Sequence, residues 1–142
     1  MKKLVVTTMT MVFLMAVVCG CQGGAAKGPS DQDLINKVVA AWTAAATAKN
    51  LDGLMAGYSD SFQHYEWGNK DGLKSFLKDA ISMGYLENAQ VTTDKAKLAI
   101  NKGAAKYAPV ELKAAFGSAT IELTLKKEGK DWKITGMDVE QH

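Results

Sequence analysis

Thr120-Ile121-Glu122-Leu123-Thr124-Leu125-Lys126-Lys127-Glu128-Gly129-Lys130-Asp131-Trp132-Lys133-Ile134 is the stretch that decides the fold. Ile121, Leu123 and Leu125 alternate with Thr120, Glu122 and Thr124, the period of a strand with one buried and one wet face. Glu128-Gly129-Lys130 then turns the chain into Trp132 and Ile134, so Phe116–Lys127 and Asp131–Glu140 read as a long hairpin. At Thr135-Gly136 the alternation slips, and Met137 and Val139 become the apolar pair. A glycine at such a slip predicts a β-bulge. Working back toward the N-terminus, Glu87–Asp94, Lys97–Asn101 and Ala104–Lys113 are further strand segments.

Ahead of these strands the period changes. Leu34, Ile35, Val38, Val39, Trp42, Ala45 and Ala46 recur at steps of three and four, which predicts an amphipathic helix from about Asp31 to Lys49. Ser30 and Asp33 form its start signal, close to a capping box with Asp in place of Glu. Leu51–Tyr58 is a short second helix, weakened by Gly53 and Gly57. A third runs from about Asp71 to Met83, with Leu73, Phe76, Leu77, Ala80 and Ile81 inward and Gly84 as its cap. Between them, Ser61–Trp67 suits a strand with Phe62, His64 and Glu66 on one face and Gln63, Tyr65 and Trp67 on the other. Helices first and strands last make an α+β domain over 31–142, with no convincing repeat and no second domain.

The N-terminus carries a different message. Lys2 and Lys3 precede a mostly apolar stretch, Leu4–Val18, which falls short of the ~20 residues needed to span a bilayer as a helix. That pattern fits a cleaved signal peptide, residues 1–20. Val18-Cys19-Gly20-Cys21 resembles the bacterial lipobox, an aliphatic residue, a tolerated middle residue, a small residue and the lipid-bearing cysteine. The resemblance implies a thioether-linked diacylglycerol on Cys21, then cleavage and N-acylation by a palmitate-type chain. Cys19 is the rival site, disfavoured because β-branched Val18 would flank the scissile bond; an uncleaved tail or a plain secreted protein is the other alternative. Two or three acyl chains hold a protein on a membrane stably where one does so only marginally. With Cys19 removed and Cys21 modified, the mature chain has no thiol for a disulfide, a metal or nucleophilic catalysis.

Residues 21–30, rich in small side chains, form a flexible tether. The expected location is therefore the bacterial cell envelope, lipid-anchored and extracytoplasmic. In an organism with two membranes, Gln22 after the lipidated cysteine favours the outer one by the sorting rule of that lipoprotein class. The whole chain has 17 Lys+Arg against 15 Asp+Glu, and Lys2 and Lys3 account for the excess. The mature domain is electrically balanced and contains no arginine, which argues against nucleic acid as a partner.

The order of elements resembles the NTF2-like superfamily, which includes ketosteroid isomerase, scytalone dehydratase and SnoaL-type polyketide cyclases. Its carriers are Lys49-Asn50-Leu51-Asp52-Gly53-Leu54 into Tyr58-Ser59-Asp60-Ser61-Phe62, then Gly72-Leu73-Lys74-Ser75-Phe76-Leu77, and above all the closing hairpin Leu125–Ile134. The resemblance covers about residues 31–140. It implies a cone: about three N-terminal helices packed on a curved, mainly antiparallel sheet, with a cavity between the long helix and the sheet.

Enzymes of that superfamily suggest His64 and Glu66 as an acid/base pair and Asp138 as a further acid. The plainer reading of His64 and Glu66 is a half-exposed polar strand face. The first helix has no tyrosine to donate to an oxyanion, and His64 and the terminal His142 are the only histidines. Trp42, Tyr58, Tyr65, Trp67 and Tyr107 are the expected cavity-lining aromatics; the alternative is that they are mostly core or dimer-interface residues. A single internal histidine and no free thiol argue against a metal site, and no cofactor is expected. The favoured function is a tethered module that binds an apolar small molecule or an envelope protein, with homodimerisation through the sheet as a further expectation. The alternative is an isomerase, dehydratase or cyclase using His64 and Glu66.

Overall fold

Ser30 starts the fold as the periodicity requires. In the computed structural model, which describes residues 28–142, its hydroxyl accepts from the Asp33 backbone N–H at 3.2 Å, and the Asp33 carboxylate accepts from the Ser30 N–H at 3.1 Å. The expected signal segment 1–20, Cys21 and the tether as far as Lys27 lie outside the described residues. Helix α1 runs Asp31–Thr47 and buries Ile35, Val39, Trp42, Ala45 and Ala46 along one face. It ends sooner than the pattern suggests because Lys49 turns into the left-handed region (φ 54°) and Asn50 caps α2, Leu51–Ala56.

The segment expected as one strand over Ser61–Trp67 is instead a tight hairpin. Its arms are β1 (Gln63–His64) and β2 (Gly68–Asn69), paired antiparallel. The cause is local: the Glu66 backbone N–H donates to His64 Nδ1 at 3.1 Å, closing a turn where a strand would have stayed extended. Asn69 accepts from the N–H groups of Asp71 and Gly72, both at 3.1 Å, and so opens α3, Lys70–Ser82.

The remaining strands are β3 (Gln90–Thr92), β4 (Lys97–Asn101), β5 (Ala104–Ala114), β6 (Gly117–Glu128) and β7 (Asp131–Gln141). They form one antiparallel sheet in the order β3-β5-β6-β7, and β4 pairs with the other half of the β5 edge that carries β3. Register breaks in β5 between Tyr107 and Val110, and in β7 at Thr135, which has no partner between Gly136↔Thr124 and Ile134↔Leu125. That extra residue is the bulge foreseen at the phase slip, and it keeps both Ile134 and Met137 on the inner face.

The core lies between the helices and this inner face, around Trp132, Phe62, Ile35, Leu123, Leu125 and Ile134, each essentially without solvent contact. The start of α1 is fastened to the tip of the β6–β7 hairpin. Asp31 Oδ1 accepts from Lys127 Nζ at 2.7 Å and from Trp132 Nε1 at 3.0 Å. Nearby, the buried Ser59 hydroxyl donates to Glu128 at the same tip, and the Ser59 N–H donates to the Ile134 carbonyl at 2.8 Å.

Candidate functional site

At the other end of the same hairpin the packing is incomplete. A cavity of about 260 Å³ opens there between the helices and the sheet. α1 contributes Trp42 and Ala46, α2 and its exit contribute Leu54 and Tyr58, and α3 contributes Phe76, Leu77 and Ala80. The floor is the inner face of the sheet: Leu112 of β5, Ala119 and Ile121 of β6, Met137 and Val139 of β7. These are the in-facing positions of the alternation, and on β7 they face inward because the bulge has reset its phase.

Among the described residues no charged side chain lines the cavity. Its deepest polar groups satisfy one another: Trp42 Nε1 donates to the Tyr58 hydroxyl at 2.8 Å, and that hydroxyl donates on to Met137 Sδ at 3.6 Å. Burial pushes the Tyr58 phenol far above its ordinary value of 10.0, against the smaller opposing effect of the Trp42 hydrogen bond. Tyr58 is therefore a neutral, committed phenol at any physiological pH. Gln141, exposed at the end of β7, Tyr85 and Trp67 bring the other side-chain hydrogen-bonding groups of the lining.

Trp67 forms part of the wall through a column of rings. Its ring stacks on Phe76 at 4.5 Å and on His64 at 4.0 Å, and His64 continues toward Phe62, which meets Tyr58 edge-on at 5.2 Å. Gly72 makes this possible. A Cβ added there would lie 1.9 Å from the Trp67 carbonyl oxygen, so only a residue without a side chain lets the two backbones approach.

Of the five aromatics expected at the cavity, Trp42, Tyr58 and Trp67 line it. Tyr65 does not: it is 79% exposed and sits on the outer side near Pro109, Asp138 and Glu140. Tyr107 lies beyond α1, in a separate shallow groove with Val39, Thr43 and Thr93. The acid/base set is also dispersed. His64 is buried, but only the backbone of Glu66 reaches it, and the Glu66 side chain is exposed. With Nδ1 occupied as an acceptor, the neutral ring carries its proton on Nε2; that atom is buried and has no hydrogen-bond partner among the described residues. Asp138 pairs in register with Glu122 on the outer face, since its neighbours Met137 and Val139 take the inward positions. No cluster of His, Cys, Asp and Glu that could hold a metal ion occurs among the described residues.

Phe76, Tyr85, Phe116, Met137 and Gln141 join the cavity without having been singled out for it. Phe76 and Met137 already stood on inward faces in the sequence pattern. Tyr85 lies in a turn, where periodicity gives no facing; Phe116, expected as the first residue of a strand, lies instead in the turn before β6, and the meeting of the two depends on a contact between distant segments. The Phe116 N–H donates to the Tyr85 carbonyl at 3.3 Å, and the Ala115 N–H to that of Glu87 at 3.0 Å.

No family model matches this sequence, and no curated protein matches it. Solved structures do share its architecture. A protein of unknown function with a cystatin-like fold from Nostoc punctiforme matches with a TM-score of 0.64 at 14% identity, over 80% of this chain and 93% of that one. An NTF2-like protein of unknown function from Pseudomonas putida matches with a TM-score of 0.62 at 12% identity, over 75% and 82%. Aln2 from a Streptomyces species matches with a TM-score of 0.62 at 12% identity, over 81% and 94%. At such identities the likeness speaks for the fold alone: the chain is an α+β protein whose curved antiparallel sheet and few helices match NTF2-like structures.

Proposed function

We propose that this protein is a membrane-anchored, extracytoplasmic lipoprotein whose domain binds one uncharged, apolar small molecule. The observation that carries the reading is the cavity: mostly apolar, free of charged side chains among the described residues and open to solvent through an aromatic mouth. An ion entering such a site would lose its hydration and meet no counter-charge, which costs several kcal/mol or more. An uncharged ligand loses little and gains contact with Trp42, Trp67, Ile121 and Met137. At about 260 Å³ the cavity lies just below the ~300–1,000 Å³ typical of small-molecule pockets, so the ligand is small or only partly enclosed. The acid/base alternative has less support, because the His64 ring and the Glu66 carboxylate do not meet.

The test is fluorescence titration with phenylnaphthylamine, an uncharged apolar dye, beside its anionic relative anilinonaphthalene sulfonate. The neutral dye should bind saturably at one site, the sulfonate at least tenfold more weakly, and Ala80→Leu should abolish binding by filling the cavity. Absence of saturable binding by the neutral dye, or indifference to Ala80→Leu, would refute the reading.

For the anchor, the support is the lysine pair, the apolar stretch and the Val18-Cys19-Gly20-Cys21 motif. Cys21→Ser should abolish incorporation of a labelled fatty acid and release the protein from the membrane fraction. Persistent labelling would transfer the role to Cys19. In an organism with two membranes, Gln22 directs the lipidated protein to the outer one, and fractionation tests that placement.

A further inference from the structure

The cavity mouth is more apolar than a soluble ligand would require. Phe76 is 41% exposed, Tyr85 49% and Phe116 37%, and all three also line the cavity. Met83, 64% exposed, extends the patch: it caps α3 on the face that carries Phe76 and Ala80, two turns beyond the first and one beyond the second. Three of the four positions, Phe76, Tyr85 and Phe116, sit on segments that are tied down. The backbone bonds from Phe116 to Tyr85 and from Ala115 to Glu87 stitch the two turns together, and Phe76 is stacked on Trp67. Partly exposed apolar side chains gathered at the opening of one cavity mark an interaction surface rather than scattered exposed residues.

The length of chain ahead of α1 lets the bilayer that would hold Cys21 cover it. Asp31 is bonded to the tip of the β6–β7 hairpin, whereas the cavity opens where β6 begins and β7 ends. The chain therefore enters the domain at the end away from the mouth, separated from it by roughly the length of α1, ~25 Å. Gln22–Ser30 spans at most about 30 Å when extended. A domain anchored at Cys21 can thus lie down and bring its mouth to the bilayer that holds it. Aromatic side chains with one wet edge, such as Tyr85, suit the depth of the headgroups.

We propose that Phe76, Met83, Tyr85 and Phe116 seat on the lipid surface that bears the anchor, so that the cavity takes its uncharged ligand directly from the bilayer. This rests on the lipoprotein reading above and deepens it: the ligand is a membrane-dissolved apolar compound that reaches the site without crossing water. The anchor then keeps the mouth at high local concentration over its source.

The experiment uses the full chain isolated from its membrane fraction and reconstituted in phosphatidylcholine vesicles. Met83→Cys and Lys130→Cys are each nitroxide-labelled and read against the chain without an added cysteine. The label at 83 should collide at least threefold more often with dissolved oxygen, which concentrates in lipid, than with a water-soluble nickel chelate. The label at 130, on the hairpin tip, should show the reverse. Adding Tyr85→Glu and Phe116→Glu should return the label at 83 to the pattern at 130. If both labels report water in the parent chain, docking is overturned. It is equally overturned if the label at 83 is shielded without vesicles and in proportion to protein concentration, since the cover is then a second copy of the chain. Phenylnaphthylamine binding in solution separates the two claims: dye binding with a water-exposed label at 83 keeps the ligand reading and removes the docking.

Discussion

The two ends of the β6–β7 hairpin are built from the same alternation and do opposite work. At the tip end, Leu123, Leu125, Trp132 and Ile134 leave no room, and the polar groups that close the structure pair with one another: Asp31 with Lys127 and Trp132, Ser59 with Glu128. At the far end, Ile121, Met137 and Val139 continue the same inner face but meet a void instead of a helix. Stability is thus concentrated at one end, and the other is left free to hold something else. Lining residues there need only be apolar and approximately placed, whereas the tip requires interlocking shapes.

The largest loss of stability is expected at the tip. Trp132→Ala removes a fully buried indole and its hydrogen bond to Asp31, and should lower unfolding free energy by about 3–5 kcal/mol. Phe116→Ala at the mouth should cost less, about 1 kcal/mol, because over a third of the residue already meets water and it borders a void. Urea unfolding midpoints at unchanged slope measure both, and equal losses at the two ends would abolish the distinction. Gly72→Ala is next. Helix propensity alone would favour alanine by about 1 kcal/mol. The 1.9 Å approach to the Trp67 carbonyl must win instead, for a net loss of about 1–3 kcal/mol, with a matching fall in dye binding as Trp67 leaves the wall. Ala80→Leu has the opposite sign. Filling the cavity from α3 should raise stability by about 0.5–2 kcal/mol while abolishing dye binding, which only a mouth left unfilled for a ligand would show.

The contrast between the ends also explains what the sequence made legible. The tip could be read because it is local: Ile121, Leu123 and Leu125 alternate, Gly129 turns, Trp132 and Ile134 answer, and Thr135-Gly136 announces the slip. Ser30 with Asp33 is likewise a contact of near neighbours. Around His64 the alternation of aromatics fits a strand, while a single bond from the Glu66 backbone to His64 Nδ1 folds the segment into a turn. That bond turned Glu66 to solvent, left Tyr65 outside and brought Trp67 to the wall. At the mouth, Tyr85 and Phe116 lie far apart in sequence and meet through main-chain bonds that any residues could make. Such bonds leave no side-chain signature, so the rim was invisible even though Trp42, Tyr58 and the apolar floor were not.

The smallest effect sharpens the tip. Asp31 lies below its ordinary carboxyl value of 3.8, held there first by the Lys127 hydrogen bond and then by that of Trp132, with burial opposing. A folded-state value below the unfolded one means that the charged form stabilises the fold. The contribution is complete above the ordinary value and is lost as pH falls through the folded-state value. The stability difference between the natural chain and Asp31→Asn should therefore be constant from about pH 7 down to about pH 5 and shrink toward zero on further acidification. Asp33 and Asp60 are lowered in the same direction, by Ser30 and by Lys70 respectively, but they are present in both proteins and cancel in the difference. Asparagine keeps an oxygen for the Trp132 N–H, so the comparison isolates charge from the loss of the indole's partner. The pair with Lys127 is partly exposed, and added salt should reduce the difference at neutral pH. A difference that persists unchanged below the ordinary carboxyl value would mean that Asp31 fastens α1 to the hairpin through its shape as an acceptor and not through its charge.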